Sequence, residues 1–424
     1  MKQLTIVGAG WAGLAAAVSA TQVGWHVRLF EASNIAGGRA RRLPQSFDGQ
    51  PLDNGQHILI GAYRDTLALM RTVGLNPDAL LQRLPLDLRY ANNQGLNLPD
   101  WPAPFNLLAG IAGAKGWSLN DKVKLLQAAW HWKRKKFECD PAWTVLELCE
   151  ASHLSPLVMT QLIDPLCLSA LNTPLNKASA SVFLRVLQDA LLGGKGSSDL
   201  LVPLVDLGAL LPDACLQWLS RQGADVQLGQ RLSAADIENL QRETSADKAV
   251  LLACPSWESA RLTANLAPQW ASPCAELQHT AIATVYMHCK DKGFQGLSRP
   301  MMALQSHAKA PAQFAFDKGA LSSQHGLIAA VVSACNAERD EITEQVHAQV
   351  REQLGLREVD IAQTVVEKRA TLACTPMLER PAPYVTKGLW ACGDYICGPY
   401  PSTLEGAVRS GQQVVAQISQ VRHG

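Results

Sequence analysis

The first thirty residues alternate between apolar runs and one glycine-rich break. An apolar run at 4–7 precedes the break, and a stretch rich in alanine at 14–20 follows it. A second apolar run, HVRLFEA, then reaches the acidic residue Glu31. Short apolar runs beside glycine predict buried strands, and the longer small-residue run predicts a helix. The pattern therefore predicts a strand, a tight turn, a helix and a second strand, as in a parallel α/β sheet.

The glycines of the break have the spacing GxGxxG. Gly8 permits the tight turn, Gly10 lets the backbone approach a pyrophosphate, and Gly13 lets helix and strand pack closely. The helix N-terminus offers free N–H groups to phosphates, and Glu31 is placed to accept the hydroxyls of a ribose. The segment therefore predicts a site for the ADP half of a dinucleotide. The alternative is a glycine-rich turn in some other α/β fold.

The C-terminal pattern also ends in a strand, a loop and a helix. In GLWACGDYICGPYPSTLEGAVRSGQQVVAQI, a short strand precedes Gly393 and Asp394, and an amphipathic helix begins near Ser402 or Thr403. Either hydroxyl can cap that helix, and Glu405 in its first turn complements the helix dipole. The N-terminus of such a helix can stabilise an anionic group.

Between the two ends, the periodicity changes twice. It is helical from about 61 to 199, whereas TAIATVYMHC, GLIAAVVSAC and TVVEKRA predict strands, with a helix near ERDEITEQVHAQVREQLG. LQWLSRQGADVQLGQ and KAVLLACPS predict a further helix and two strands.

The composition argues against several classes of protein. The 424 residues carry 38 Lys and Arg against 37 Asp and Glu, so no global charge favours a nucleic-acid partner. The 11 cysteines lack the paired spacing of a zinc site or a disulfide scaffold, which predicts no metal and a cytoplasmic setting. We expect Cys392 and Cys397 to be buried structural thiols. The chain shows neither a secretion leader nor an apolar run long enough to span a membrane.

EASNIAGGRARR places Gly37, Gly38 and Arg39 after the acidic residue, and here the sequence resembles the flavin-containing amine oxidase and phytoene desaturase superfamily. The resemblance implies FAD as the cofactor. It also implies that the C-terminal GD and helix return to the flavin and that Arg231 and Leu232 pass the adenine. The residues expected to contact FAD are Gly8, Gly10, Trp11, Ala12, Gly13, Glu31, Ala32, Gly38, Arg39, Asn54, Gly55, Gln56, His57, Arg231, Leu232, Gly393, Asp394, Thr403, Leu404 and Ala407.

The expected fold is α/β, with a Rossmann-like FAD-binding domain and an interleaved α+β substrate domain made of a mixed sheet and a helical lobe. We assign residues 1–60, 200–270 and 385–424 to the FAD-binding domain. Residues 61–199 and 271–384 form the substrate-binding domain.

Three longer passages, which contain LDNGQHILIG, LSALNTPLNK and PYPSTLEGAVRSG, resemble the hydroxysqualene dehydroxylase family over residues 4–418. The resemblance implies loss of the allylic hydroxyl of hydroxysqualene by hydride transfer from reduced FAD, giving squalene for hopanoid or sterol-type synthesis. It also implies a dry apolar tunnel and an electron donor that no motif identifies. An insoluble substrate favours a cytoplasmic protein bound peripherally to the inner face of a bacterial membrane.

Such a reaction needs a proton donor near the hydroxyl, and four residues are candidates. Asp53 and His57 lie in the LDNGQH segment that the superfamily places near the flavin ring. Burial of Asp164 within LIDPLCLSAL would raise its pKa and keep it protonated, although it also suits a helix cap before Pro165. Tyr400, just before the last helix, is the fourth candidate. His57 has the alternative of a purely structural histidine.

The run 133–136, KRKK, lies beside three aromatic residues, Trp130, Trp132 and Phe137. On a helix it is suited to an anionic lipid surface, and a solvated helix end is the alternative.

Other functions remain open. A carotenoid-type polyprenoid desaturase would use the flavin in the oxidative direction, and amine oxidation is a further possibility. A non-catalytic prenyl-binding protein like the Rab GDP dissociation inhibitors is the alternative outside enzymes, but the retained Glu31, Gly38, Arg39 and Asp394 argue against it.

Overall fold

The structure is a computed structural model that describes residues 2–102 and 104–420. Its strands are β1 Gln3–Val7, β2 His26–Phe30, β3 Arg42–Phe47, β4 Gln50–Asp53, β5 Leu59–Ile60, β6 Leu81–Leu84, β7 Leu200–Pro203, β8 Asp225–Gln227, β9 Lys248–Leu252, β10 His279–Cys289, β11 Met301–Ala303, β12 Phe314–Asp317, β13 Leu327–Cys335, β14 Val359–Leu372, β15 Tyr384–Thr386 and β16 Leu389–Ala391.

The helices lie between and after these strands, and six of them follow one another between β6 and β7. They are α1 Trp11–Gln22, α2 Arg64–Thr72, α3 Pro77–Leu80, α4 Phe105–Gly113, α5 Leu119–Arg134, α6 Val145–Ala151, α7 Pro156–Val158, α8 Asp164–Leu171, α9 Ala180–Leu192, α10 Leu207–Leu210, α11 Pro212–Arg221, α12 Ala234–Arg242, α13 Ser256–Thr263, α14 Pro268–Glu276, α15 Lys318–Ser322, α16 Arg339–Leu354 and α17 Leu404–Gln420. A π-helical turn, Met159–Ile163, joins α7 to α8.

The first sheet has six strands in the order β15-β16-β9-β1-β2-β8. β1 pairs in parallel with both β2 and β9, and β16 and β8 extend the sheet in parallel on either side. Strands of such sheets are covered on both faces, which accounts for the nearly continuous apolar runs of β1 and β9. The predicted Rossmann-like sheet is confirmed.

The second sheet has five strands in the order β11-β12-β13-β10-β14. A mixed sheet is expected here, but every neighbouring pair is antiparallel. The reason is that β10 lies between β13 and β14, the two strands joined by α16. Those two strands run in the same direction but never pair.

Helices α4 to α9 form a lobe against the second sheet. A single apolar core joins Phe183 of the lobe to inner side chains of that sheet, including Tyr286 and Phe316. Cys392 is buried as expected, whereas Cys397 is exposed because it lies in the loop between β16 and α17.

The two ends of the chain meet through α1 and α17. Gly411 of α17 faces α1 so closely that a Cβ there would lie 2.2 Å from the Ala12 carbonyl oxygen. Arg39 donates a hydrogen bond from Nη2 to Asp394 Oδ1 at 2.5 Å, across 355 positions of sequence.

The division into two domains stays a prediction, and residues 1 and 421–424 of the first domain lie outside the described residues.

Candidate active site

One continuous cavity of about 1070 Å³ reaches from the glycine-rich turn to the helical lobe. All the residues predicted to contact the cofactor line it, except Gly13. A Cβ on Gly13 would lie 1.9 Å from the Gly8 carbonyl oxygen, so this glycine permits the contact between the turn and α1. The other end of the cavity is lined by apolar side chains.

At the first end, the chain leaves β1 and turns sharply into α1. Gly8 has φ +113° and its Cβ would lie 2.6 Å from the Ala253 carbonyl oxygen, so only glycine fits this turn. No side chain of the described residues caps α1 at Gly10. The first amides of the helix, including those of Trp11 and Ala12, therefore face the cavity without intrahelical partners, which is the arrangement that binds anions.

Glu31 lies immediately after β2 and lines the same end of the cavity. Its Oε2 accepts a hydrogen bond from the Ala9 amide at 2.7 Å, and its Oε1 accepts one from the Ser33 amide at 2.9 Å. These two bonds fix the carboxylate between the glycine-rich turn and the loop after β2.

The N-terminus of α17 reaches the cavity through Thr403, Leu404 and Ala407. Thr403 caps the helix, because its Oγ1 accepts a hydrogen bond from the Gly406 amide at 2.8 Å. Ser402 does not cap it. Ser402 Oγ instead accepts a hydrogen bond from the Leu372 amide at 2.8 Å.

Glu405 differs from its expected role. Its carboxylate accepts hydrogen bonds from the amides of Asp65 and Thr66 and from Thr66 Oγ1, at 2.7–3.0 Å. The carboxylate therefore accepts hydrogen bonds from the otherwise unpaired amides at the N-terminus of α2. Among the described residues, it does not interact with the amides in the first turn of its own helix. The charge of Glu405 is thus held against another helix, and the α17 amides at the cavity keep their donor character.

Asp53 ends β4 and His57 lies in the loop after it, and of these two proton-donor candidates only His57 lines the cavity. Asp53 is buried, and its Oδ1 accepts a hydrogen bond from the Leu207 amide at 2.8 Å. Burial raises the pKa of Asp53 to about 6, against the opposing effects of that bond and of Lys318. Its carboxyl is engaged away from the cavity lining.

His57 lines the cavity in a neutral state. Its Nδ1 donates to the Gly55 carbonyl oxygen at 2.9 Å, since a carbonyl can only accept, and this leaves the lone pair on Nε2. Burial lowers the pKa of His57, with a smaller contribution from Arg39. In this state the ring offers an acceptor at Nε2 and no proton.

Asp164 does not line the cavity. Burial raises its pKa as expected, but the π-helical turn runs directly into α8, so Asp164 is the first residue of α8 and no side chain of the described residues caps that junction. Leu162, Leu166 and Ala170 of the same segment line the cavity at helical spacing. Ile163 lines the cavity as well, whereas Asp164, the next residue and two positions from Leu162, is turned away from Leu162 and does not.

Tyr400 lines the cavity and is held between two arginines. The guanidinium of Arg409 lies 5.0 Å and that of Arg185 lies 5.7 Å from its ring centre. Arg185 Nη2 also lies 3.5 Å from the phenol oxygen, close enough to donate to it. The phenol thus accepts from a cation and keeps its own proton to donate.

Two residues that sequence reasoning did not single out also line the cavity wall. Glu367 lies on β14, and its Oε2 accepts a hydrogen bond from Asn54 Nδ2 at 3.1 Å. Asn172 holds the lobe to the second sheet, with Nδ2 2.8 Å from Thr371 Oγ1 and Oδ1 2.5 Å from the Ala334 amide. The signal for Glu367 was an acidic residue inside the apolar strand TVVEKRA. Asn172 lies in the ALNTP passage, where its left-handed conformation has no local sequence signal.

The far end of the cavity is almost wholly apolar. Helices α4, α5, α8 and α9 contribute aliphatic and aromatic side chains, and the second sheet contributes more. The lining there includes Leu107, Ile111, Leu125, Leu126, Trp132, Leu162, Ile163, Leu166, Phe183, Val186, Leu187, Met301, Phe314, Phe316, Val331 and Val365.

The fold and the cavity define a dinucleotide-binding α/β protein with an apolar substrate chamber. The profile of flavin-containing amine oxidoreductases matches residues 11–419. The chain belongs to this family, so it is a flavin-dependent oxidoreductase with FAD as its cofactor.

Two curated relatives match almost the full length. A hydroxysqualene dehydroxylase of Zymomonas mobilis is 25% identical over 439 residues, covering 96% of each chain. A second, from Sinorhizobium fredii, is 27% identical over 443 residues, covering 97% of each. Among solved structures, an oxidoreductase from Methanosarcina mazei aligns with a TM-score of 0.69 at 15% identity, over 98% of this chain and 100% of the other. That structure supports the fold.

The first end of the cavity fits FAD. A Cβ on Gly10 would meet only Gly38 Cα, at 3.9 Å, so the open side of this backbone faces the cavity. Any side chain there would enter the space beside the α1 amides that a pyrophosphate takes. Gly10, Gly38 and the uncapped N-terminus of α1 together form a cradle for an anionic cofactor.

Proposed function

We propose that this oxidoreductase removes the allylic hydroxyl of hydroxysqualene and gives squalene for hopanoid or sterol-type synthesis. The observation that carries the proposal is the single cavity that joins an FAD cradle to a long apolar chamber. The two full-length relatives described above bear the name of this activity.

The residues proposed to hold FAD lie at three parts of the cavity. The α1 amides bind the pyrophosphate, Glu31 accepts the adenosine ribose hydroxyls, and Arg231 and Leu232 flank the adenine. At the flavin end, Asp394 is oriented by Arg39, and the α17 N-terminus stabilises negative charge on the pyrimidine side of the ring.

Bound FAD, once reduced by an electron donor that the chain does not identify, supplies the hydride that replaces the hydroxyl. The hydroxyl leaves as water after it accepts a proton, and we assign that proton to Tyr400. Its phenol lines the cavity, and the nearby guanidinium of Arg185 stabilises the oxygen as the proton leaves. His57, Asp53 and Asp164 are less suited, because the first lacks a proton and the other two face away.

The apolar chamber protects the reaction from water. Departure of the hydroxyl leaves positive charge on an allylic carbon, which any nearby water would capture. Phe314 and Phe316 are two positions apart on β12 and both line the chamber, so they present aromatic rings to the substrate from one side of the strand.

We also propose peripheral association with the cytoplasmic face of a bacterial membrane, because the substrate is insoluble in water. Within residues 2–102 and 104–420, the helices are too short or too polar for any of them to traverse a bilayer. Exchange of an insoluble substrate with a bilayer requires contact with the membrane surface.

The test is an anaerobic incubation of the FAD-loaded protein with hydroxysqualene and dithionite in detergent, with squalene detected by gas chromatography and mass spectrometry. We expect squalene that depends on protein, FAD and reductant. Desaturated carotenoid from phytoene, without squalene from hydroxysqualene, would replace the proposal with a desaturase. A colourless protein with no releasable FAD that binds prenylated chains would indicate a binding protein.

A further inference from the structure

Helices α4 and α5, together with Trp101 before α4, carry large apolar side chains on the outside of the molecule. These residues define the α4–α5 surface and are Trp101, Phe105, Leu108, Leu119, Val123 and Trp130, with exposed fractions from 46% to 82%. A monomeric protein rarely exposes a group of this kind unless it contacts a partner or a membrane.

The spacing on α5 shows that this exposure follows a regular pattern. Leu119, Val123 and Trp130 are separated by four and seven positions, so they lie along one face of the helix. The opposite face carries Leu125 and Trp132, which are buried in the core of the lobe. α5 thus has an apolar face for the protein core and a second apolar face that the core does not cover.

The cavity reaches the outside of the molecule at the α4–α5 surface. Leu108 and Trp130 are exposed and also line the cavity, as does Leu192 at the end of α9. The inner sides of both helices continue this lining through Ile111 and Leu126. A long apolar molecule can therefore pass from the outside to the chamber along apolar side chains.

The charge around this surface is strongly positive. Residues 115–136 contain seven Lys or Arg and a single acidic residue, Asp121, whereas the whole chain has a net charge of +1. Asp121 accepts hydrogen bonds from Ser118 at the start of α5, so it is committed to the helix cap. Among the ion pairs of the described residues, none includes Lys133, Lys135 or Lys136.

We propose that the α4–α5 surface inserts into the headgroup region of a bilayer that contains anionic lipid, and that the isoprenoid substrate enters the cavity directly from that bilayer. This entry route rests on the proposed function, which identifies the substrate as an isoprenoid. An amphipathic helix with Trp on its apolar face and Lys and Arg at its sides is the arrangement that binds such surfaces. A second copy of the chain is a poorer occupant, because it brings the same positive charge against the surface.

Vesicle co-sedimentation of the FAD-loaded full chain tests the proposal. We expect binding to phosphatidylcholine vesicles that contain phosphatidylglycerol, and little binding to phosphatidylcholine alone. The double variant Leu119→Glu with Val123→Glu should partition at least about tenfold more weakly. The matched control, Val23→Glu with Met377→Glu, places the same charges on exposed apolar residues elsewhere and should bind like the wild type.

A second pair of variants tests the charge. Lys135→Glu with Lys136→Glu should reduce binding about tenfold or more and weaken its dependence on salt. The control Lys292→Glu with Lys387→Glu should not change binding. FAD content and melting temperature, measured for every variant, show that each one is folded.

Equal vesicle binding by the Leu119 and Val123 double variant and its control would overturn the proposal. So would equal binding to neutral and anionic vesicles, or a solution dimer that the Leu119 and Val123 variant alone dissociates. Squalene formation from detergent-solubilised hydroxysqualene separates the two proposals. Intact turnover without vesicle binding refutes the docking surface, whereas vesicle binding without turnover refutes the proposed function.

Discussion

The contact between α1 and α17 is where a small substitution should have the largest effect on cofactor binding. A Cβ added to Gly411 would lie 2.2 Å from the Ala12 carbonyl oxygen and 3.0 Å from the Ala16 amide, whereas ordinary contact begins at 3.4 Å. The two helices must therefore separate by roughly 1 Å to accept Gly411→Ala. Both helices point their N-termini into the cavity.

Two energies oppose each other in this variant. Overpacking of a tight contact costs about 1–3 kcal/mol, while alanine inside a helix gains about 1 kcal/mol over glycine. Because the clash is with backbone atoms, which cannot rotate away, we expect an overpacking cost at the upper end of its range, about 2–3 kcal/mol, and a fall in the free energy of unfolding of about 1–2 kcal/mol. A shift of this size between the two helices proposed to hold FAD should also slow turnover by up to about 100-fold.

The assay is chemical denaturation together with FAD titration by flavin fluorescence and squalene formation. Gly113→Ala is the matched control, since Gly113 is exposed in α4 and its Cβ would meet nothing within 4 Å. It should be as stable as the wild type or slightly more so. If Gly411→Ala retains the stability and the FAD affinity of the wild type, the close approach of α1 and α17 is refuted.

Three further predictions concern the cavity. Glu31→Ala should weaken FAD retention at least about tenfold, measured by released flavin, because it removes two charged hydrogen bonds and the proposed ribose contact. Tyr400→Phe should slow squalene formation about 10²–10⁴-fold with FAD binding unchanged, whereas Asp164→Asn should stay within about twofold of the wild type. Asp53, with a folded pKa of about 6 against 3.8, binds more protons when folded, so its contribution to stability is lost as the pH rises from 4 to 6. Asp53→Asn should remove about 3 kcal/mol of that pH dependence in denaturation curves at the two ends of the range.

The nucleotide-binding half could be predicted from sequence because its signals are local. Gly8 must adopt a positive φ, and Gly13 must leave room for the Gly8 carbonyl oxygen. Glu31 must follow the second strand. Each requirement selects a residue type within a few positions of its effect. The C-terminal helix could be predicted for the same reason, since Thr403 caps its own helix.

The partners of buried carboxylates could not be predicted, because they lie far away in sequence. Glu405 bonds to Asp65 and Thr66, which are 340 and 339 positions distant, and Asp53 bonds to Leu207 across 154 positions. A sequence shows that such a residue is acidic and near an apolar run. It does not show which unsatisfied amides the fold will bring to it. For the same reason, the insertion of β10 between β13 and β14 left no signal in the chain.

The position of Asp164, in contrast, could have been derived from helical geometry. Leu162, Leu166 and Ala170 repeat every four positions, and a residue two positions from Leu162 is turned by about 200° from it on an α-helix. Leu162 and Ile163 at the end of the π-helical turn line the cavity, and the lining resumes at Leu166 of α8, so the intervening Asp164 is not part of it. A raised pKa there therefore reports burial in the lobe and not contact with substrate. A proton donor for the proposed reaction has to face the chamber beside the flavin end, and of the four candidates only Tyr400 both faces the cavity and keeps a proton to give.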